Sequence, residues 1–295
     1  MSGSAWMNGQ YIPVDEAKLS VLDLGVTRSD GTYDVVHVWG GRFFRLDAHL
    51  DRFTASLARL RLDPGYERAQ IEDILHGCVR HAGLREAYVS MTCTRGRLAP
   101  GSRDLRTARN TFYCYAVPFV WISSPERQQA GASLWVSDLV RIPPASVDPR
   151  VKNYHWLDLD LALLEAYDHG ADLVALRDLS GAITEGPGYN VFAWVDGRWL
   201  TPASGTLAGV TRRTAIELAR EAGQPVEEGR LTAEDLRQAA EILVTSTAGG
   251  IMPVTAIDGK PVGDGVPGPL TTQLRDRYWA CHADPRYTTP VRYEP

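Results

Sequence analysis

Tyr33-Asp34-Val35-Val36-His37-Val38-Trp39-Gly40-Gly41-Arg42-Phe43-Phe44-Arg45-Leu46-Asp47 is the stretch on which the fold reading turns. Its first seven residues are rich in β-branched and aromatic types, which suit an extended, half-buried strand. Gly40-Gly41 predicts a tight reversal, and Arg42 to Leu46 a returning strand. Beyond it, Leu50, Phe53, Leu57 and Leu60 recur at helical spacing, with Asp47 as the expected cap. A hairpin that feeds a helix is not the strand–helix–strand alternation of a doubly wound sheet. It predicts an α+β fold.

The rest of the chain extends that reading. Upstream, Asn8-Gly9 predicts a hairpin over Trp6 to Ile12. Downstream, a second helix is expected from about Glu67 to His81, then strands near Ala87–Thr94 and Thr111–Val117. Between those strands, Arg95 to Asp104 is polar, basic and rich in turn formers, and reads as a mobile loop. Ser123-Ser124-Pro125-Glu126-Arg127-Gln128-Gln129 is the best domain boundary. It predicts a small α/β domain over residues 1–120, a linker over 121–129 and a larger domain over 130–295. In the larger domain a strand is expected near Ala132–Leu139 and a helix over Leu157–His169, stopped by Gly170. Hairpins are expected between Leu173–Leu176 and Ala182–Thr184, and between Val191–Val195 and Arg198–Leu200 across Asp196-Gly197. Helices over Thr211–Ala222, from Thr232, and over Gln273–His282, with a buried strand Ile242–Thr245, complete the pattern.

Composition narrows the function. The chain has 295 residues, enough for about two domains, and its 44% hydrophobic content supports a large core. With 31 basic and 36 acidic residues the formal charge is −5, which gives no reason to expect nucleic acid or an anionic membrane as partner. No apolar run is long enough to span a bilayer, and Met1 to Trp6 lacks a signal-peptide core. Cys78, Cys93, Cys114 and Cys281 are scattered and read as reduced, mostly buried thiols of a cytoplasmic protein. Phosphate-loop, dinucleotide, zinc and serine-hydrolase motifs are all missing, and no metal site is expected.

Only three of the basic residues are lysine: Lys18, Lys152 and Lys260. Lys18 lies in an acidic stretch and Lys260 follows an Asp-Gly turn, so both read as solvated. Lys152 has aromatic and aliphatic neighbours and opens an apolar helix. Partial desolvation lowers a lysine pKa and makes a nucleophile toward aldehydes, although a snorkelling lysine has the same local look. Glu185, in Thr184-Glu185-Gly186-Pro187-Gly188-Tyr189-Asn190, could pair with a ring nitrogen, with two glycines admitting a flat ligand; a plain turn glutamate reads equally well. Leu207-Ala208-Gly209-Val210-Thr211 leads into a helix and offers either an anion site or a simple threonine cap. Ser246-Thr247-Ala248 could form a second nest of donors. Arg52 could meet the same anion or be a solvated helical arginine.

The order Arg, Lys, Glu, Gly-Val-Thr, Ser-Thr-Ala resembles the fold-type IV pyridoxal-phosphate aminotransferases. That family includes branched-chain and D-amino-acid aminotransferases and aminodeoxychorismate lyase. Within it the chain is most similar to the (R)-selective amine transaminases, through Ser29 to Val35, Arg45 to Arg52, Val151-Lys152-Asn153, Glu185 to Asn190, Gly209 to Arg212 and Thr247 to Pro253. The resemblance implies a small N-terminal α/β domain and a larger pseudo-barrel domain. It implies a homodimer in which the neighbour completes the active site. Lys152 would hold pyridoxal 5'-phosphate covalently, and Glu185 would contact its pyridine nitrogen. Arg52, Val210, Thr211, Ser246 and Thr247 would hold the phosphate, Leu207 would pack on the ring, and Tyr189, Asn190 and Gly209 would complete the cofactor site. Tyr33, Val35, Tyr88, Trp156, Thr247 and Ala248 would shape the substrate pockets. Arg103, with Arg97 as second choice, would meet a substrate carboxylate.

The implied reaction is ping-pong transfer of an amino group from an (R)-amine or D-amino acid to a keto acid such as pyruvate, through the pyridoxamine form of the cofactor. Arg28 stands where the (R)-amine group often has histidine, which would favour carboxylate substrates. The alternatives are a branched-chain L-amino-acid aminotransferase, a lyase of the aminodeoxychorismate type, or a non-catalytic binding protein on the same fold.

Overall fold

The computed structural model describes residues 3–294. Met1, Ser2 and Pro295, where the expected domain spans and the N-terminal stretch begin or end, lie outside the described residues. The chain divides into two compact units. One comprises residues 3–120, 151–155 and 282–294; the other comprises 121–150 and 156–281.

The first unit is built on a seven-stranded sheet in which every neighbouring pair is antiparallel. Its order is Thr288–Pro290, Arg42–Phe44, Gly31–Trp39, Ala87–Arg97, Arg109–Pro118, Ser4–Met7 and Gln10–Pro13. The expected hairpins form where both central residues reach positive φ: Asn8 (53°) with Gly9 (82°), and Gly40 (55°) with Gly41 (76°). One face carries Val36, Val38, Val89, Met91, Cys93, Cys114 and Ala116. It packs on Leu50, Phe53 and Leu57 of the helix Leu46–Leu60, and on Ile71, Ile74, Leu75 and Val79 of the helix Arg68–Ala82. Strand alternation sends the intervening residues to the other face. Register there aligns Tyr33 with Thr92 and Tyr113, Val35 with Ser90 and Tyr115, and His37 with Tyr88 and Val117.

Two expectations in this unit are corrected. Asp47 does not cap the helix Leu46–Leu60. Arg45, at φ 56°, occupies the cap because its N–H is bound to the Tyr287 carbonyl, so the helix starts at Leu46 and Asp47 falls in its first turn, bonded to Arg68. Arg95 and Arg97 do not belong to the loop. The strand runs on to Arg97 through a bulge, because Arg95 pairs with Asp30 and donates to the Leu60 and Arg61 carbonyls. Leu105–Thr107 forms a single 3-10 turn before the next strand.

The second unit holds a nine-stranded mixed sheet, ordered Val226–Gly229, Arg198–Pro202, Tyr189–Val195, Glu241–Ser246, Gly250–Ile257, Ala132–Val140, Leu173–Arg177, with the two-residue strands Glu185–Gly186 and Lys260–Pro261 attached. The helix Leu157–Asp168 buries Leu159, Ala162 and Ala166 against Val174 and Leu176. It connects Ala132–Val140 to the parallel strand Leu173–Arg177, and the helix Val210–Glu221 likewise connects Arg198–Pro202 to the parallel strand Val226–Gly229, so two βαβ crossovers do occur. The expected Leu173–Leu176 hairpin is therefore only a narrow one. It is closed by the bridge Arg177 to Ile183, while the strand's main partner is the parallel one. Helices Val210–Glu221, Ala233–Gln238 and Pro269–Ala280 complete this unit, along with the short helix Pro125–Ala130. No helix is long and apolar enough to cross a membrane among the described residues.

Candidate active site

In the first unit, the strand Gly31–Trp39 pairs with Arg42–Phe44 only at Val38 and Trp39, which leaves its start open on that side. The segment 151–155 takes the place. The Tyr33 N–H (3.1 Å) and the Thr32 hydroxyl (2.7 Å) donate to the Lys152 carbonyl, and Thr32 bridges Asn153. Asn153 locks the segment by donating to the Val151 carbonyl and accepting from the His155 N–H. Lys152 thus sits in extended chain five residues before the helix at Leu157, rather than opening it. Its side chain is half-buried, with Nζ 4.5 Å from the centre of the Tyr33 ring. Tyr154 stacks on Tyr33 at 4.3 Å and shares a hydrogen bond with Thr92 at 3.0 Å; burial pushes its hydroxyl pKa up.

Beside this segment lies a charge cluster that the sequence did not reveal. Asp34 points to the helix-facing side of its strand and is fully buried. It receives Arg52 through both Nε and Nη2, each at 2.7 Å, His49 Nδ1–H at 2.8 Å and the Val35 N–H at 2.7 Å. Burial alone would raise the Asp34 carboxyl, but the Arg52 charge and the hydrogen bonds from Arg52 and His49 hold it well below the usual carboxylate range. His49 moves down chiefly through burial. Asp34 opposes that shift, and the charges of Arg52 and Lys152 add to it. Arg52 is accordingly no solvated helical arginine: its side chain is 12% exposed.

In the second unit, Glu185 is 7% exposed and starts the two-residue strand Glu185–Gly186. Its Oε2 accepts from the Leu207 N–H at 2.9 Å and the Thr206 hydroxyl at 3.1 Å, and its Oε1 from Arg141 Nε at 3.3 Å. Arg141 is in turn gripped by both oxygens of Asp158. Nothing in the local sequence marks Arg141 or Asp158, because the pairing with Glu185 joins residues far apart in the chain. Asn190 holds the same loop by donating to Thr206 and to the Leu207 carbonyl. A Cβ at Gly209 would lie 2.1 Å from the Asn190 oxygen, so only glycine fits there. Gly209 is also the cap of the helix Val210–Glu221 and brings no side-chain acceptor to its first N–H groups. Thr211 is buried in that first turn. Ser246 donates to the Gly188 carbonyl and accepts from the Ala248 N–H, which shapes the turn that carries Thr247.

The remaining expected residues lie in the following places. The small size of Gly186 makes room for the protein itself, since a Cβ would strike the Tyr189 ring at 2.2 Å. The Tyr189 hydroxyl accepts from the Val174 N–H and donates to the Val174 carbonyl, both at 2.8 Å. Val35 is buried and Tyr88 half-buried on the tyrosine-bearing face of the first sheet. Trp156 caps the helix at Leu157, and a Gly188 Cβ would lie 3.5 Å from its ring. Arg28, Arg97 and Arg103 are exposed.

Comparison with known proteins decides the family. The amino-transferase class IV model matches residues 31–257. The chain belongs to this class IV aminotransferase family. A putative branched-chain-amino-acid aminotransferase of Methanocaldococcus jannaschii is 31% identical over 275 residues, covering 92% of this chain and 94% of that protein. A D-alanine aminotransferase of Bacillus licheniformis is 30% identical over 275 residues, covering 91% and 93%. The crystal structure of the T.th. branched-chain amino acid aminotransferase with pyridoxamine 5'-phosphate has 30% identity and a TM-score of 0.91, with 99% of each chain covered. The α+β architecture is thus that of the fold-type IV enzymes.

Proposed function

We propose that this aminotransferase moves an amino group from an (R)-amine or a D-amino acid to a keto acid such as pyruvate, with pyridoxal 5'-phosphate as cofactor. The residues fit that group. Glu185 is an anchored carboxylate suited to a pyridine nitrogen, and the glycine-capped turn at Gly209 leaves N–H groups without a side-chain acceptor, as a phosphate requires. Lys152 would hold the cofactor's aldehyde, and Arg52, Val210, Thr211, Ser246 and Thr247 its phosphate. When bound, the cofactor supplies the electron sink for carbanion chemistry.

The protein's own part is to hold, orient and move a proton. Lys152 Nζ, freed from the aldehyde by the substrate amine, would take the proton from the substrate carbon and deliver it to the cofactor's exocyclic carbon. The Tyr33 ring face under Nζ and the partial burial of the lysine favour a side chain held in one place. Glu185 would keep the ring nitrogen hydrogen-bonded, and its own three donors keep its carboxylate from rotating away. Thr206 and Asn190 hold Leu207 in register, where it would pack on the ring.

The observation that carries the substrate reading is the sheet face whose three rows are Tyr33-Thr92-Tyr113, Val35-Ser90-Tyr115 and His37-Tyr88-Val117. That face is aromatic and hydroxylated, with no lysine, arginine or carboxylate in those rows. It suits an aryl or alkyl amine substituent better than a charged side chain. Arg103 or Arg28 would meet the carboxylate of the keto acid. Branched-chain L-amino-acid transfer is the second reading, favoured by the names of the relatives. A half-reaction screen on single enantiomers tests both. The yellow holoenzyme should bleach with (R)-1-phenylethylamine or D-alanine and recover with pyruvate. Bleaching by L-leucine alone would replace this reading with the second.

We also propose a cytoplasmic homodimer. Its support is the exposed stripe Leu157, Leu161, Leu164 on one helix face and the four buried cysteine thiols, none of them in a disulfide. Light scattering at the monomer mass would remove the dimer.

A further inference from the structure

We infer that Asp34 is the positioning residue for Arg52: its buried carboxylate, fixed by His49 and the Val35 N–H, holds the guanidinium as a pre-set phosphate anchor. This rests on the reading that Arg52 meets the cofactor phosphate.

The strand places Asp34 on the side that carries core residues Val36 and Val38, where an acid is costly unless it is paired. It is paired fully. Arg52 delivers two parallel bonds of 2.7 Å, the bidentate geometry that fixes the plane of a guanidinium as well as its position. His49 lies one helical turn before Arg52, on the same helix face, and its Nδ1–H holds the same Asp34 oxygen that receives Arg52 Nη2. The Val35 N–H fixes that oxygen from the strand side. With the carboxyl held far below its usual range, the cluster stays charged throughout the working range of pH. Free arginine loses several rotatable bonds' worth of freedom when it clamps an anion. Here that ordering is already done in folding, and a pre-ordered donor binds tighter.

An opposite effect acts at the same atoms. The Asp34 charge cancels that of Arg52 and weakens its Coulomb pull on a phosphate. The two effects predict opposite signs for removal of the charge, and experiment separates them.

The protein, stripped of cofactor, is reconstituted with pyridoxal 5'-phosphate and, separately, with pyridoxal, which lacks the phosphate. The ratio of the two dissociation constants reads phosphate anchoring alone. In Asp34→Asn the preference for the phosphorylated form should fall about 10-fold or more, with pyridoxal affinity held within about two-fold. Arg52→Lys keeps the charge but lacks the planar fork, and should lose the preference as well. An unchanged or increased preference in Asp34→Asn overturns the inference, because Asp34 would then only neutralise charge. An equal loss for both forms also overturns it, as damage to the fold. Should Asp34→Asn not fold, a retained preference in Arg52→Lys is the contrary result. Arg52→Gln tests the premise separately. If it keeps the preference, the phosphate reading itself fails; if it loses the preference while Asp34→Asn does not, only the positioning claim fails.

Discussion

Each unit of the molecule contains a buried carboxylate–arginine cluster, and the two are mirror images in charge. In the first, a carboxylate on a sheet strand, Asp34, supports a cation, Arg52. In the second, a cation, Arg141, clasped by Asp158, supports a carboxylate, Glu185. One pair chemistry is used to present opposite signs. The lesson is that a supporting member matters for what it holds.

Breaking the second cluster at its support should give the largest effect. Arg141→Met leaves Glu185 and Asp158 buried together without their cation, and should destabilise the protein by about 3–5 kcal/mol. Urea denaturation of the holoenzyme checks it; a loss under about 1 kcal/mol would show the two carboxylates need no partner. Glu185→Gln keeps the shape and removes the charge. It should lower kcat by about 100-fold or more, about 2.7 kcal/mol, with folding intact. A rate within a few-fold of wild type would mean that this carboxylate is structural, as its plain turn reading had it.

A smaller effect tests the first unit through its histidines. Burial, the leading cause, takes His76 from its usual 6.5 down to about 4, and His49 is also lowered. A lowered histidine is neutral in the folded state while the unfolded chain still binds a proton. Stability should therefore be full above about pH 6.5 and decline as the pH falls from there toward 4, by about 1–2 kcal/mol at pH 5 for His76 alone. In His76→Gln the curve should flatten over that window in a thermal-melt series. An unchanged slope would assign the acid sensitivity to other groups.

Legibility followed locality. The Asn8-Gly9 and Gly40-Gly41 reversals were readable because two adjacent positive-φ residues state the turn type outright. The helix bearing Leu50, Phe53 and Leu57 was readable from spacing alone. Arg45 could not be read as a cap, because its conformation depends on a carbonyl from Tyr287, far along the chain. The strand end at Arg97 was hidden for the same reason, since Arg95 answers to Asp30 and to carbonyls more than thirty residues back. Lys152 stood out only because lysine is so rare in this chain. Asp34 offered a faint signal, a lone acid inside an otherwise β-rich apolar run, and Arg141 none, since its partner Glu185 is 44 residues away.

Scarcity of lysine also makes the central claim easy to test. Borohydride reduction of the yellow protein, followed by peptide mapping, should leave the cofactor's mass on the peptide that contains Lys152. Label on Lys18 or Lys260, or on no lysine, would contradict the account.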